Sequence, residues 1–92
     1  MSPEQRAQAL RERLQALSPL HLEITDESHQ HVGHVGARDG KGHFAVNVVS
    51  EQFLNKNRLQ RHRLIYDIVG DLMQTDIHAL RIQALTSQEH NQ

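Results

Sequence analysis

A helical stretch set between two alternating runs constrains this chain more than any other feature. Phe44, Val46 and Val48 share one phase of a strand at residues 43–50, and Val49 extends its apolar character. Leu59, Leu64, Ile65, Ile68, Val69, Leu72 and Met73 then recur at helical spacing, which predicts one helix over 57–73. After Thr75-Asp76 the alternation returns over 78–84, with Leu80, Ile82 and Ala84 in phase. The 27 residues between Ser50 and His78 are ample for a crossover, so a parallel return is expected. In that arrangement the third strand starts at the end of the sheet where the second strand also starts.

Upstream, Ser2-Pro3-Glu4-Gln5 joins a serine cap, a proline at the first helical position and a capping-box glutamine. Ala7, Leu10, Leu14 and Leu17 form the apolar face of a helix ending before Ser18-Pro19. Leu20, Leu22 and Ile24 alternate with His21, Glu23 and Thr25 as a first strand. Residues 27–42 carry Gly33, Gly36, Gly40 and Gly42 and read as a long hairpin loop. The order is helix, strand, strand, helix, strand in one α/β domain over 1–87, with 88–92 as a polar tail.

Composition narrows the function classes. With 37% hydrophobic and 23% charged residues the chain is globular, and its net charge of -1 argues against bulk attraction to nucleic acid or anionic membrane. The absence of cysteine excludes a disulfide, a cysteine nucleophile and a thiolate metal site built by this chain alone. No apolar run approaches the roughly 20 residues of a membrane span, and the chain reads as soluble and cytoplasmic. Nothing marks a nucleophile, a phosphate-cradling glycine loop or a substrate pocket, so an enzyme is not indicated.

The stretch DESHQHVGH, Asp26 to His34, holds three histidines, and the crossover topology brings more to the same rim. His29, His31, His34, His43 and His78 are expected at one end of the sheet. His78 shares the phase of Leu80 and should lean toward the helix-covered face, whereas His43 is out of phase with Phe44 and should point to the other. The pattern therefore favours a loop histidine, rather than His43, as the partner of His78. Two imidazoles make an incomplete metal site, since zinc frameworks with paired cysteines are absent and ligand type does not choose the metal. Histidine also replaces cysteine on one iron of some iron-sulfur clusters, in which case the missing sulfur would come from a partner or a thiol cofactor.

Asp26-Glu27-Ser28 followed by His31, His43-Phe44 opening a strand that ends Val48-Val49-Ser50, then Phe53, Arg61-His62-Arg63 with Tyr66, and His78-Ala79-Leu80 together resemble the BolA family over residues 20–87. The resemblance implies a three-stranded mixed sheet with helices on one face, similar to the class II K-homology fold. It also implies a non-enzymatic adaptor that pairs with a monothiol glutaredoxin and shares a [2Fe-2S] cluster, in iron-sulfur trafficking or iron regulation. In that arrangement the glutaredoxin cysteine and glutathione supply thiolates, and this chain supplies His78 and a loop histidine. The loop ligand falls on His31 by its place after Asp26-Glu27-Ser28, with His34 as the alternative. Alone, such a chain is expected to be a monomer or weak homodimer. Where Phe-x-Gly is common in the family, this chain has Phe53-Leu54-Asn55, and asparagine is among the residues that tolerate a left-handed backbone.

A second reading rests on Lys56, Arg58, Arg61, His62 and Arg63, which gather at the start of the long helix against its macrodipole. They mark a surface for a protein partner or for DNA, as in family members described as transcriptional regulators. Arg61 and Arg63 would equally serve to dock the glutaredoxin or orient the carboxylates of its glutathione. The region NKNR has no glycine of the K-homology Gly-x-x-Gly loop, and aromatics for base stacking are few, so DNA ranks second.

Overall fold

The computed structural model describes residues 2–28 and 42–92. Helix α1 spans Pro3–Leu14 and passes into a 3-10 turn at Gln15–Leu17; strands β1 and β2 are His21–Asp26 and Gly42–Val49. A second 3-10 turn, Glu51–Phe53, leads to α2 at Arg58–Val69, followed by α3 at Leu72–Thr75, β3 at Ile77–Leu85 and α4 at Ser87–His90. The sheet order is β1-β2-β3; β1 is antiparallel to β2 and β3 is parallel to it. This is the mixed three-stranded α/β architecture that the resemblance implies, with the parallel return of β3 expected from periodicity and chain length.

The start of α1 forms as its sequence dictates. The Ser2 side chain accepts from the Gln5 amide, and the Gln5 side chain accepts from the Ser2 amide. Leu10, Leu14 and Leu17 are buried against Phe44, Val46, Val48, Phe53, Ile65, Val69, Leu72, Ile77 and Leu80. The core therefore lies between the helices and one face of the sheet.

The long helix predicted over 57–73 is divided. Asn57 caps α2 with Gln60 in a second capping box, but the helix stops at Gly70, whose φ is +51°. Glycine adopts such a φ without the side-chain penalty of other residues. Arg13 of α1 stabilises the break, donating to the Val69 carbonyl at 3.2 Å and pairing with Asp71 at 3.1 Å. A helix-end carbonyl thus gains the donor that helical geometry denies it. Asn55, at the departure from the family pattern, has φ +64°, the left-handed conformation anticipated from its residue type. The polar tail is partly ordered as α4, where Thr86 and Glu89 form a third capping box.

Ser50 joins both halves of the core. Its buried hydroxyl donates to the Leu17 carbonyl at 2.6 Å and accepts from the Gln52 amide at 3.1 Å. Replacing Ser50 by Ala should cost about 2 kcal/mol, because the Leu17 carbonyl is left buried without its donor. Urea unfolding followed by circular dichroism measures this, and a midpoint equal to wild type would contradict it.

Candidate functional site

The parallel pairing brings the start of β3 to the base of the hairpin, and three short bonds define that base. The Glu27 amide donates to the His43 carbonyl at 2.7 Å, and the His43 amide donates to Ser28 Oγ at 3.0 Å. On the other side the Gly42 amide donates to the Asp76 carbonyl at 3.0 Å. The Asp26-Glu27-Ser28 motif is thus a frame. Asp26 accepts from the Ser28 amide at 2.8 Å, Ser28 holds His43, and Glu27 grips Arg81 of β3 through contacts of 2.6 and 3.3 Å. The Glu27 carboxylate raises the pKa of Arg81 above its ordinary value, chiefly through this hydrogen bonding. Gly42 is needed for packing, since a Cβ there would lie 2.3 Å from the Phe44 ring.

His78 is exposed at the head of β3, close to this base. Its predicted lean toward the core is incorrect. Gly42 pairs with Ile77, but His43 pairs with Ala79, so His78 is the extra residue of a bulge. The bulge resets the alternation: Ile77 and Leu80 are buried and His78 is turned out. The same irregularity reverses a second expectation, that His43 would not meet His78. The His43 ring is buried at 6% exposure and lies 4.9 Å from the His78 ring, tilted by 48°. Both loop candidates, His31 and His34, and the third histidine of that stretch, His29, lie outside the described residues. Among the described residues no group of three or more His, Cys, Asp or Glu side chains is arranged to hold a metal ion.

At the other end of β3 the structure divides the basic group. Arg61 is internal: Nε donates to the Lys56 carbonyl at 2.8 Å, and Nη1 donates to the Ala84 carbonyl at 3.0 Å and to Glu89 at 2.7 Å. Its guanidinium lies 5.8 Å from the centre of the Phe53 ring. Arg61 therefore fastens α2, β3 and α4 together rather than presenting a free charge, a correction to its expected place on a binding surface. Six residues of strand separate Ala84 from His78, about 20 Å. Arg58 and Arg63 are exposed and His62 is half-buried. Sequence reasoning missed Tyr66 as a strand-holding residue: its hydroxyl donates to the Leu80 carbonyl at 3.4 Å.

Glu89 is the most strongly perturbed acid of the described residues. The hydrogen bond from Arg61, then that from the Thr86 amide, lowers its pKa from the ordinary 4.5 to about 2. A carboxyl lowered by folding stabilises the fold when ionised, and that contribution is lost as pH falls through the window from about 4.5 to about 2. Thermal melts across that window should show wild type losing stability more steeply than Glu89→Gln. Parallel pH profiles for the two proteins would refute this.

The family described as BolA-like protein matches residues 14–89. The chain belongs to this family. It is 42% identical over 90 residues to SufE-like protein 1 of Arabidopsis thaliana, covering 91% of this chain and 24% of that protein. Protein BOLA1 of the same plant is also 42% identical over 90 residues, covering 94% of this chain and 56% of the relative. The chain thus spans about a quarter and just over half of these two relatives. The DNA-binding transcriptional regulator BolA of Escherichia coli is 35% identical over 85 residues, covering 87% of this chain and 78% of the relative. The solved BolA domain of SufE1 from Arabidopsis thaliana superposes with a TM-score of 0.82 at 39% identity, covering 97% of this chain and 98% of that one. Among the described residues no helix is long and apolar enough to cross a membrane.

Proposed function

We propose that this protein is an adaptor that binds a monothiol glutaredoxin and shares a [2Fe-2S] cluster with it in iron-sulfur trafficking or iron regulation. The observation that carries this reading is the exposed His78, held by a bulge at the base of the segment that contains His31 and His34. The donor chemistry fits: imidazole can replace cysteine on one iron of a [2Fe-2S] cluster, and a chain without cysteine needs its sulfur ligands from elsewhere. A glutaredoxin cysteine and glutathione would provide them. His78 and one loop histidine, His31 or His34, would hold the cluster, which supplies one-electron and cluster-transfer chemistry when bound. His43 packs on the His78 ring and limits its freedom.

A second reading, DNA binding by a transcriptional regulator, is favoured by the name of the E. coli relative and by the exposed Arg58 and Arg63. The internal role of Arg61 weakens it, because fewer cations remain to contact phosphate.

Reconstitution of the protein with a monothiol glutaredoxin, iron, sulfide and glutathione should give a coloured heterodimer whose visible circular dichroism differs from that of the glutaredoxin alone. His78→Ala should lower cluster retention by about tenfold or more. Of His31→Ala and His34→Ala, the variant that alters the spectrum identifies the loop ligand, with His43→Ala as the packing control. A mixture whose spectrum equals that of glutaredoxin alone would rule out the shared cluster. Salt-resistant, sequence-selective DNA shifts lost in Arg58→Ala/Arg63→Ala would favour the second reading.

A further inference from the structure

The outer edge of β3 is closed at two points and open between them. The Ser50 amide donates to the Leu85 carbonyl, so the odd-numbered residues near that end of β3 turn their main-chain groups toward β2. Leu80, Ile82 and Ala84 therefore turn theirs outward. Tyr66 caps the Leu80 carbonyl and Arg61 caps the Ala84 carbonyl, both from α2. Ile82 lies midway, and its outward N–H and C=O form no hydrogen bond among the described residues. Two adjoining hollows of about 410 and 480 Å³ flank this point and share Arg58, Ile82 and Gln83. An unpaired main-chain donor and acceptor beside open space is the element that strand addition uses.

Charge selects the occupant. Arg61 already holds Glu89 at the rim of one hollow, and Arg81 holds Glu27 beside the other. Arg58, common to both, forms no ion pair among the described residues, and His62 lines the first hollow beside it. The Glu89–Arg61 pair shows the chain's own carboxylate seated at this rim, 2.7 Å from a guanidinium. A base-stacking ligand is disfavoured, because the chain has only three aromatic residues of the Phe, Tyr and Trp types and both phenylalanines are buried. The remaining one, Tyr66, has its hydroxyl on the Leu80 carbonyl.

We propose that the open edge at Ile82 binds a short, extended acidic peptide segment of a protein partner. One peptide residue exchanges main-chain hydrogen bonds with Ile82, and a flanking carboxylate pairs with Arg58. The caps at Leu80 and Ala84 confine the added strand to about three residues, which keeps the edge from templating a longer sheet. This site is four strand residues from His78, about 13 Å, and its existence does not depend on the cluster reading.

A ¹⁵N chemical-shift titration of the full chain tests this with the blocked peptide acetyl-Glu-Val-Glu-amide. It should perturb the amides of Ile82 and Arg58. Methylating the valine nitrogen should weaken binding by at least about fivefold, since one main-chain bond is lost. Arg58→Ala, with an unchanged melting temperature, should weaken it by about tenfold, and the Lys-Val-Lys peptide should not bind. The proposal is overturned by any of three results: no shift at Ile82 at millimolar peptide, binding indifferent to N-methylation, or a short thymidine oligonucleotide perturbing these amides where the peptide does not.

Discussion

The parallel pairing of β2 with β3 is the constraint on which the other features depend. It sets the head of β3 against the base of the β1–β2 hairpin, and it leaves the far end of β3 beside the start of α2. Neither end is built from neighbouring sequence. Glu27 and Arg81, or Arg61 and Ala84, meet only because a crossover returns the chain in the same direction. Loss of that pairing would separate the proposed ligands and the strand edge together.

The two ends of β3 have opposite character. At its head, a bulge places His78 in solvent while the neighbouring His43 is buried beneath it, an arrangement that pairs an accessible ring with a restrained one. At its tail, Arg61 spends its charge on carbonyls and on Glu89, which stabilises a corner of three elements. The residues that carry the family resemblance therefore do different work. Asp26, Glu27, Ser28, Arg61 and Tyr66 hold strands in place, whereas His78 is presented outward. A signature read only as a list of ligands would mistake the first group for the second.

Most of the architecture was legible because its causes are local. The capping box at Ser2, the leucine stripe of α1 and the alternation of β2 act over three or four residues, and each formed as its spacing implies. The left-handed Asn55 was foreseeable for the same reason. The split of the long helix was harder to read, since helical periodicity continues past Gly70 even though Arg13, distant in sequence, secures the break there. The fold of α4 was missed because a four-residue helix carries too little periodicity to register against a polar composition.

What the sequence by itself determined is the order of the main elements, the crossover and the placing of His43 and His78 at one end of the sheet, all consequences of hydrophobic period and chain length. Tertiary structure alone decided which way His78 faces and what His43 touches. Alternation predicts a face only while the ladder is unbroken, and one extra residue opposite Gly42 and His43 reverses the phase. It likewise decided that Arg61 is a fastener, because the value of a charge depends on the carbonyls and carboxylates that folding brings within about 3 Å, and two of these, the Ala84 carbonyl and Glu89, belong to β3 and α4.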